Sequence, residues 1–277
     1  MDTLDDVRFG LTFPNFGAYA EPSLTVELSR AAEVAGWDGF FVWDHIVIAD
    51  GFPVADPWVL LGAIGQATES IRIGPMVSPL PRYRPWALAR QAVTLDRLSG
   101  GRAILGVGIG YPPEPEFGTF RDPTDPRLRA DILDEGLDIV TGVWSGEPFE
   151  FHGEHFDVRR TTFAPVPLQQ PRIPTWVAGM LPNLRPFRRA ARYDGVFPIR
   201  GDMQDMTPAD VARVVGYVSR HRTGEGPFDV VVGGPVAADV AAMAEAGATW
   251  YLAGPSPEAE SFEEILAWIS AGPRWGP

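Results

Sequence analysis

Short apolar runs alternate with amphipathic stretches along most of the chain. Each apolar run has the length of a buried strand, and each stretch that follows repeats its apolar residues at helical spacing. The predicted strands cover residues 7–13, 39–43, 71–77, 103–107, 175–178, 195–199, 228–232 and 249–252. The predicted helices cover residues 23–35, 56–68, 85–98, 128–144, 183–193, 208–222, 236–246 and 258–271.

Eight strand–helix units in one chain favour a closed (β/α)₈ barrel, the TIM barrel, over an open α/β sheet. The alternation of strands and helices is interrupted at two places. Residues 112–127 are rich in proline and predict an irregular excursion after the fourth strand. Residues 147–171 predict a short hairpin and a proline-rich segment before the fifth strand. No linker divides the chain, so a single domain over residues 1–277 is expected.

The amino-acid composition excludes several classes of chemistry and of binding partner. The chain has no cysteine and no lysine, which excludes disulfides, thiolate ligands, cysteine nucleophiles and lysine Schiff bases. A net charge of −13 argues against nucleic acid and anionic membranes as partners. No apolar run is long enough for a membrane span, and the acidic start enters a strand at once, which argues against a secretory signal. A cytoplasmic location is therefore expected.

Glycines recur on alternate positions where the fourth predicted strand ends, at Gly106, Gly108 and Gly110. One interpretation is that the missing Cβ atoms clear a face of the strand for a ligand. The other is a tight turn with close strand packing. A Rossmann fingerprint fits poorly, because prolines rather than a helix follow the glycines.

The second predicted strand ends in Trp43, Asp44 and His45. Ligands of a (β/α)₈ barrel sit at the carboxyl ends of the strands, so this pair is the leading candidate for acid–base chemistry. In the alternative, Asp44 caps the loop and His45 bonds a carbonyl group. The position at a strand end favours the catalytic interpretation.

The segment Ala178-Gly179-Met180-Leu181-Pro182-Asn183 predicts a small-residue turn before a helix N-terminus, where free amides can bind a phosphate. Arg200, at the end of the sixth predicted strand, can add a guanidinium. An ordinary strand–helix turn is the equally weighted alternative. Glu150, His152, Glu154 and His155 have ligating side chains, but they lie in the predicted hairpin without a later ligand cluster, so no metal site is expected.

Several segments together resemble the bacterial luciferase-like family of flavin- and deazaflavin-dependent oxidoreductases. They are FGLTFPNFG, AAEVAGWDGFFVWDH, SIRIGPMVSPLPRYRPWALARQAVTLDRLSGGRAILGVGIG, LDEGLDIVTGVWSGEPFEFHGEHF, PRIPTWVAGM and RRAARYDGVFP. The resemblance runs nearly end to end. It implies a TIM barrel that binds a reduced flavin-type ring at the strand ends and oxidises or reduces a small organic substrate.

The resemblance also implies site residues. A non-prolyl cis peptide is expected at Met76-Val77, pressing on the ring. Gly108 and Gly110 would lie beside the ribityl chain, Trp43 and Phe13 would line the pocket, and the turn at Gly179 would hold the phosphate. Residues 112–127 and 147–171 would cover the mouth, and relatives are often homodimers.

The cofactor is expected to be coenzyme F420 or FMN, with F420 favoured because an Asp-His pair like Asp44-His45 is common in that branch. There the histidine lies near the transferred hydride. Sugar-phosphate dehydrogenases of the branch carry a Glu where this chain has Tyr111, and a Trp where it has Ala49. Tyr111 therefore joins the candidate catalytic residues, and a substrate other than a sugar phosphate is expected.

Three alternatives to hydride transfer with F420 stay open: an FMN-dependent monooxygenase that activates oxygen, a non-catalytic flavin-binding barrel, and a barrel lyase or isomerase. The last is least favoured, because the predicted strand ends carry no carboxylate cluster.

Overall fold

The computed structural model describes residues 7–224, 226–234, 239–255 and 261–273. The strands in these ranges are β1 (Arg8–Phe13), β2 (Gly39–Val42), β3 (Arg72–Pro75), β4 (Ser78–Pro79), β5 (Leu105–Gly108), β6 (Phe149–His152), β7 (Asp157–Thr161), β8 (Thr175–Leu181), β9 (Gly195–Arg200), β10 (Asp229–Gly234) and β11 (Trp250–Ala253). The helices are α1 (Pro22–Val34), α2 (Pro57–Ala67), α3 (Pro85–Leu98), α4 (Pro113–Glu116), α5 (Pro126–Val143), α6 (Arg185–Ala190), α7 (Pro208–His221), α8 (Val240–Glu245) and α9 (Phe262–Ser270).

Nine strands form one parallel sheet in the order β3-β2-β1-β11-β10-β9-β8-β5-β4. Its two ends meet, because Ile104 N donates to Ile73 O at 2.9 Å and the two segments share a parallel bridge at Ile73 and Ala103. The short strand β4 follows β3 and occupies the same barrel position. The sheet is thus the predicted (β/α)₈ barrel, a TIM barrel, with helices packed around it.

Helix starts follow a simple local rule. Four helices begin with proline in the first turn, directly after a residue whose side chain accepts a backbone N–H: Glu21, Asp56, Asp125 and Thr207. Proline has no N–H to lose at this position, and the capping oxygen satisfies one of the free amides. Each of these four helices therefore has a well-defined first turn.

Aromatic side chains fill the lower part of the barrel interior. The ring centroids of Trp176 and Trp250 are 5.2 Å apart, and Phe41 lies 5.3 Å from Trp176. Side chains alternate along a strand, so Trp43 and Ala178 point to the same interior one layer higher. Trp43 and Ala178 are only partly buried, whereas Trp176 and Trp250 are wholly buried. The interior is closed below and open at the mouth.

Several element boundaries differ from the prediction. Strand β8 continues to Leu181, three residues beyond its predicted end, because Gly179, Met180 and Leu181 pair with Pro198, Ile199 and Arg200 of β9. The predicted turn over 178–183 is therefore wrong in its first half, because Ala178, Gly179 and Met180 belong to the strand and the chain turns only at Pro182. The predicted starts of the last two helices, at 236 and 258, lie outside the described residues.

The first insertion is more regular than expected. Residues 112–127 include the short helix α4 and a 3-10 helix, Gly118–Phe120. Phe117 is wholly buried against the end of β5. This segment lies at the mouth, as the resemblance implied.

The second insertion, which contains the confirmed hairpin β6–β7, lies along the outside of the barrel. Glu135 of α5 accepts hydrogen bonds from the backbone N–H groups of Glu154, His155 and Phe156. Asp96 of α3 accepts from the backbone of Leu168 at 2.7 Å. These contacts attach residues 147–171 to the helical surface, so the expectation that they cover the mouth is wrong.

A similar carboxylate connects α1 to the start of β3. Glu33 accepts hydrogen bonds from the backbone N–H groups of Ser70 at 2.6 Å, Ile71 at 3.0 Å and Glu69 at 2.9 Å. Partial burial opposes the charged form, but the amide donors outweigh burial and lower the pKa of Glu33 below its ordinary value of 4.5. A lowered folded-state pKa means that this stabilisation is present above pH 4.5 and is lost as the pH falls further.

We therefore expect Glu33→Gln to lower the free energy of unfolding by about 1–2 kcal/mol at neutral pH. Urea denaturation should show this deficit shrinking in acid, where the wild-type carboxyl is protonated too. Glu27→Gln, on the exposed face of the same helix, is the control and should change little. A deficit that is equal at both pH values would contradict the role of the charge.

Candidate active site

Asp44 sits at the exit of β2 as a buried anion with three donors around it. Its side chain is inaccessible to solvent. It accepts hydrogen bonds from the hydroxyls of Ser78 and Tyr83, the latter at 2.8 Å, and pairs with the guanidinium of Arg82. Burial raises the pKa of Asp44, while Arg82 and the two hydroxyl donors oppose the rise. Asp44 thus holds other residues in place and does not itself reach the open interior.

Arg82 joins two buried carboxylates. Besides Asp44, its guanidinium pairs with Glu116 at the end of α4. The side chains of Arg82 and Glu116 are only 6% and 1% exposed, so the pairing takes place almost without water. Buried charges of this kind are stable only while they remain paired with one another. Arg82 therefore fixes the segment after β5 against the end of β2.

His45 projects from this network towards the mouth. Its Nδ1 atom lies 2.9 Å from Glu116 Oε1, and its ring lies edge-on to Phe16 with centroids 5.6 Å apart. The side chain is 18% exposed. Among the described residues no hydrogen bond to Nε2 is found, so this nitrogen is available to a ligand.

The backbone of His45 is held separately by Asn15, which follows β1 and is wholly buried. Asn15 Nδ2 donates to His45 O at 2.8 Å and to Ala55 O at 2.7 Å, and its Oδ1 accepts from His45 N at 3.2 Å. One amide thus anchors both sides of the loop after β2. The loop alternative, in which His45 bonds a carbonyl with its ring, is not what the structure shows.

Glu116 is the residue that sequence reasoning missed. It lies in residues 112–127, which predicted only an irregular segment. Its signal in the sequence was an acidic residue in a proline-started turn directly after the fourth strand. Tyr111, where a carboxylate seemed to be lacking, is 54% exposed at the rim. The carboxylate near His45 is present after all, five residues further along the chain.

The peptide bond Met76-Val77 is cis, as the resemblance implied. A Cβ atom on Gly106 would strike the carbonyl of Pro75, and one on Gly108 would come within 3.0 Å of Val77 Cγ2. The glycines thus make room for the neighbouring strand. This matches the packing interpretation of the glycine strand.

Gly110 is required by both its backbone and its surroundings. Its φ is +85°, a region that disfavours residues with a Cβ, and a Cβ there would lie 2.6 Å from the ring of Phe117. The turn after β5 is held by Arg129, whose guanidinium donates to the carbonyls of Ile109 and Gly110, both at 2.8 Å. Arg129 is a further residue that the sequence did not point to.

Two predicted site residues lie away from the open interior. Phe13 is wholly buried in the outer layer, stacked on Phe40 with centroids 5.1 Å apart. Gly179 faces α6, where a Cβ would lie 2.6 Å from Pro186. Neither side chain position faces the barrel interior.

Three arginines near the predicted phosphate site, Arg185, Arg189 and Arg200, are paired with carboxylates. Arg200 forms hydrogen bonds with Asp202 at 2.6 Å and Asp210 at 3.0 Å. The hydrogen bonds from Arg200 lower the pKa of Asp202 to about 2. Arg185 and Arg189 of α6 pair with acids of α5. Of these arginines, Arg200 lies at a strand end, where an anionic ligand can compete for it.

The residues that line the open interior form an apolar depression at the mouth, which we call the bowl. Trp43, Val77, Ala178 and Met180 are partly buried there, and Gly108 adds no side chain. Apolar walls above an aromatic floor fit a flat tricyclic ring such as that of a flavin or deazaflavin. Among the described residues, no group of three or more His, Cys, Asp or Glu side chains could hold a metal ion.

A separate cleft of about 530 Å³ opens at the other end of the barrel, between Arg8, Asp38, Arg72 and Trp250. It lies at the amino ends of β1, β3 and β11. Barrel enzymes place their chemistry at the opposite face, where His45 is found. The bowl at the mouth is therefore the candidate active site.

No helix within the described ranges has the length and apolar character needed to cross a membrane.

Comparison with known proteins places this site in a family. Residues 7–269 match the luciferase-like monooxygenase family, and the chain belongs to it. An uncharacterized protein of Mycobacterium tuberculosis is 33% identical over 228 residues, which cover 75% of each chain. An F420-dependent glucose-6-phosphate dehydrogenase of Microbacterium testaceum is 32% identical over 166 residues, 58% of this chain and 48% of that one.

A solved structure of an F420-dependent secondary alcohol dehydrogenase, in complex with an F420-acetone adduct, shares the fold. Its TM-score is 0.78 at 17% identity, over 97% of this chain and 99% of that one. Members of the family are oxidoreductases and monooxygenases that use F420 or FMN. The predicted family, barrel and cofactor class are thus confirmed.

Proposed function

We propose that this protein is an F420-dependent oxidoreductase in which a hydride passes between the cofactor and a small organic substrate, and His45 exchanges a proton with the substrate oxygen. The observation that carries the proposal is His45 itself. One ring nitrogen contacts a buried carboxylate, and the other is available beside an apolar bowl. A positioned imidazole of this kind is the usual general acid or base.

The bowl would hold the ring of the cofactor. Trp43, Met76, Val77 and Ala178 would contact it, with Gly108 beneath. The phosphate-bearing side chain of the cofactor would then extend past Gly110, Met180 and the backbone of Gly179 towards Arg200. Arg200 would then exchange one of its two carboxylate partners for the cofactor phosphate. When bound, the cofactor supplies the atom that accepts or donates the hydride.

His45 would take the proton of a substrate hydroxyl as the C–H bond breaks, or return it in the reverse direction. Asp44 supports this step from behind the barrel wall rather than by contact. Tyr111, which is exposed at the rim, would contact the substrate. Arg82 already pairs with two carboxylates, which disfavours a phosphate group beside His45. This supports a substrate other than a sugar phosphate.

Cofactor binding tests the proposal. Titration of the apo-protein with F420, followed by quenching of tryptophan fluorescence, should give a micromolar dissociation constant, with FMN binding more weakly. Ala178→Phe fills the bowl and should abolish F420 binding without unfolding the protein, as checked by circular dichroism. Val34→Phe, at a site that is 89% exposed on α1, is the control.

Each other outcome has a clear meaning. Tighter binding of FMN would overturn the choice of cofactor and favour the oxygen-activating alternative. Binding of F420 without turnover of any alcohol or carbonyl compound would favour a non-catalytic flavin-binding barrel. Binding of neither cofactor would overturn the proposal.

A further inference from the structure

The two nitrogens of a neutral histidine ring are not equivalent, because one carries the proton and the other a lone pair. In water the proton of a free histidine side chain resides mainly on Nε2. A His45 in that form would offer an N–H to the substrate rather than a base. The chemistry of the site therefore depends on what fixes the proton on the ring.

The hydrogen-bond partners of Glu116 determine which ring nitrogen of His45 carries the proton. One carboxylate oxygen, Oε2, accepts from Arg82, and both oxygens lie within 3.4 Å of Ile46 N. A carboxyl group that is surrounded by donors and paired with a guanidinium acts as an acceptor only. The contact of 2.9 Å from Glu116 Oε1 to His45 Nδ1 therefore requires a proton on Nδ1.

We propose that Glu116, held in place by Arg82, is a positioning residue that fixes His45 with its proton on Nδ1 and its lone pair on Nε2. If the proposed function holds, His45 then meets the substrate as a hydrogen-bond acceptor. Such a site selects a hydroxyl compound as the bound substrate. The hydroxyl proton would go to Nε2, the C–H hydrogen would leave with its bonding electron pair as a hydride, for which bound oxidised F420 would supply the acceptor, and the substrate would become a carbonyl compound.

Nitrogen-15 NMR of the apo-protein tests the position of the proton without any cofactor. The chain has only four histidines, and His45 can be assigned by its loss in His45→Asn. The spectra are recorded at about pH 9, well above the ordinary imidazole pKa near 6.5. His221 serves as an internal reference, because its Nδ1 lies 2.9 Å from the carbonyl oxygen of Tyr217 and must also carry a proton.

We expect His45 of the wild type to show the same protonated Nδ1 pattern as His221. In Glu116→Gln the amide oxygen should stay with Arg82, which leaves the NH₂ group facing Nδ1 and moves the proton of His45 to Nε2. Glu114→Gln, two residues earlier on the exposed side of α4, is the matched control and should leave the spectrum unchanged. A wild-type His45 protonated on Nε2, or an unchanged spectrum in Glu116→Gln, would overturn the proposal.

The kinetic consequence can be separated from the structural one. With F420 and a substrate alcohol, Glu116→Gln should lower kcat by about a hundredfold or more, while KM changes little. Replacing a residue that only supported the fold would lower the melting temperature and raise KM, but it would leave the proton of His45 on Nδ1. If the NMR result holds but no F420 is bound, the proposed function fails while the role of Glu116 stands.

Discussion

Replacing His45 with Asn should lower kcat by about 10²–10⁴-fold while the protein stays folded and binds its cofactor with unchanged affinity. The reason is that Nε2 of His45 is the basic group at the mouth that is open to a ligand, whereas Asp44 and Glu116 are buried behind it. An Asn side chain can still reach Glu116 through its amide, so the network keeps a hydrogen bond. The loss should therefore fall on catalysis rather than on stability.

The measurement compares kcat, KM and cofactor dissociation constants for wild type and His45→Asn. His152→Asn, in the outer hairpin and 68% exposed, is the control and should behave as wild type. In His45→Gly, free imidazole added to the assay should restore part of the activity, because it can occupy the vacated space. Turnover of His45→Asn near the wild-type rate would place the proton transfer elsewhere.

Replacing Arg82 with Met should cost about 3–5 kcal/mol in the free energy of unfolding, the largest stability effect that we expect from a substitution at the mouth. The change leaves Asp44 and Glu116 as two buried carboxylates without their shared cation. Exposed ion pairs contribute far less, about 0–1 kcal/mol. Arg84→Met, at an exposed position two residues away, is therefore a suitable control.

The deficit should depend on pH. Burial raises the pKa of Asp44 even with Arg82 present, and removing the cation raises it further. A raised folded-state pKa of an acid favours the folded state at low pH and destabilises it as the pH rises past the unfolded value. Urea denaturation of Arg82→Met should therefore show a smaller deficit in acid than at neutral pH.

A double-mutant cycle completes this test. Glu116→Gln should cost less in the Arg82→Met background than in the wild type, because the carboxylate it removes has already lost its partner. A deficit of less than about 1 kcal/mol for Arg82→Met, the size of a surface pair, would contradict the description of a desolvated network.

The barrel and the place of its chemistry could be predicted because both depend on local pattern. Apolar runs and helix starts repeat along the chain, and a barrel brings all strand ends to one face whatever the exact boundaries. His45 could be singled out for that reason. The cis bond at Met76-Val77 came from resemblance alone.

The partners of His45 could not be predicted, since tertiary packing alone brings them together. Glu116 is 71 residues from His45 in the chain and sits in a helix of one turn, which has no periodicity to reveal a buried face. Arg82 is 34 residues from Glu116, and no local pattern in the sequence connects the two.

The misplaced turn at Gly179 has a related cause. A glycine before a helix looked like a break, but pairing with β9 continues the strand past it, and close packing on α6 explains the glycine. Arg185 and Arg189 of α6 are paired with Asp131 and Asp134 of α5. Contacts between residues distant in the sequence therefore determine where β8 ends and which carboxylates pair with Arg185 and Arg189.

The buried network also divides the mouth into two halves, which differ in how well their loops tolerate insertions and substitutions. Asn15, Asp44, Arg82 and Glu116 tie together the segments that follow β1, β2, β4 and β5, so a length change in any one of them disturbs the others. The segments after β8 and β9 take no part in this network. New substrate preferences should therefore arise there, by insertion or by selection in the laboratory, while the first half of the barrel passes unaltered from one variant to the next.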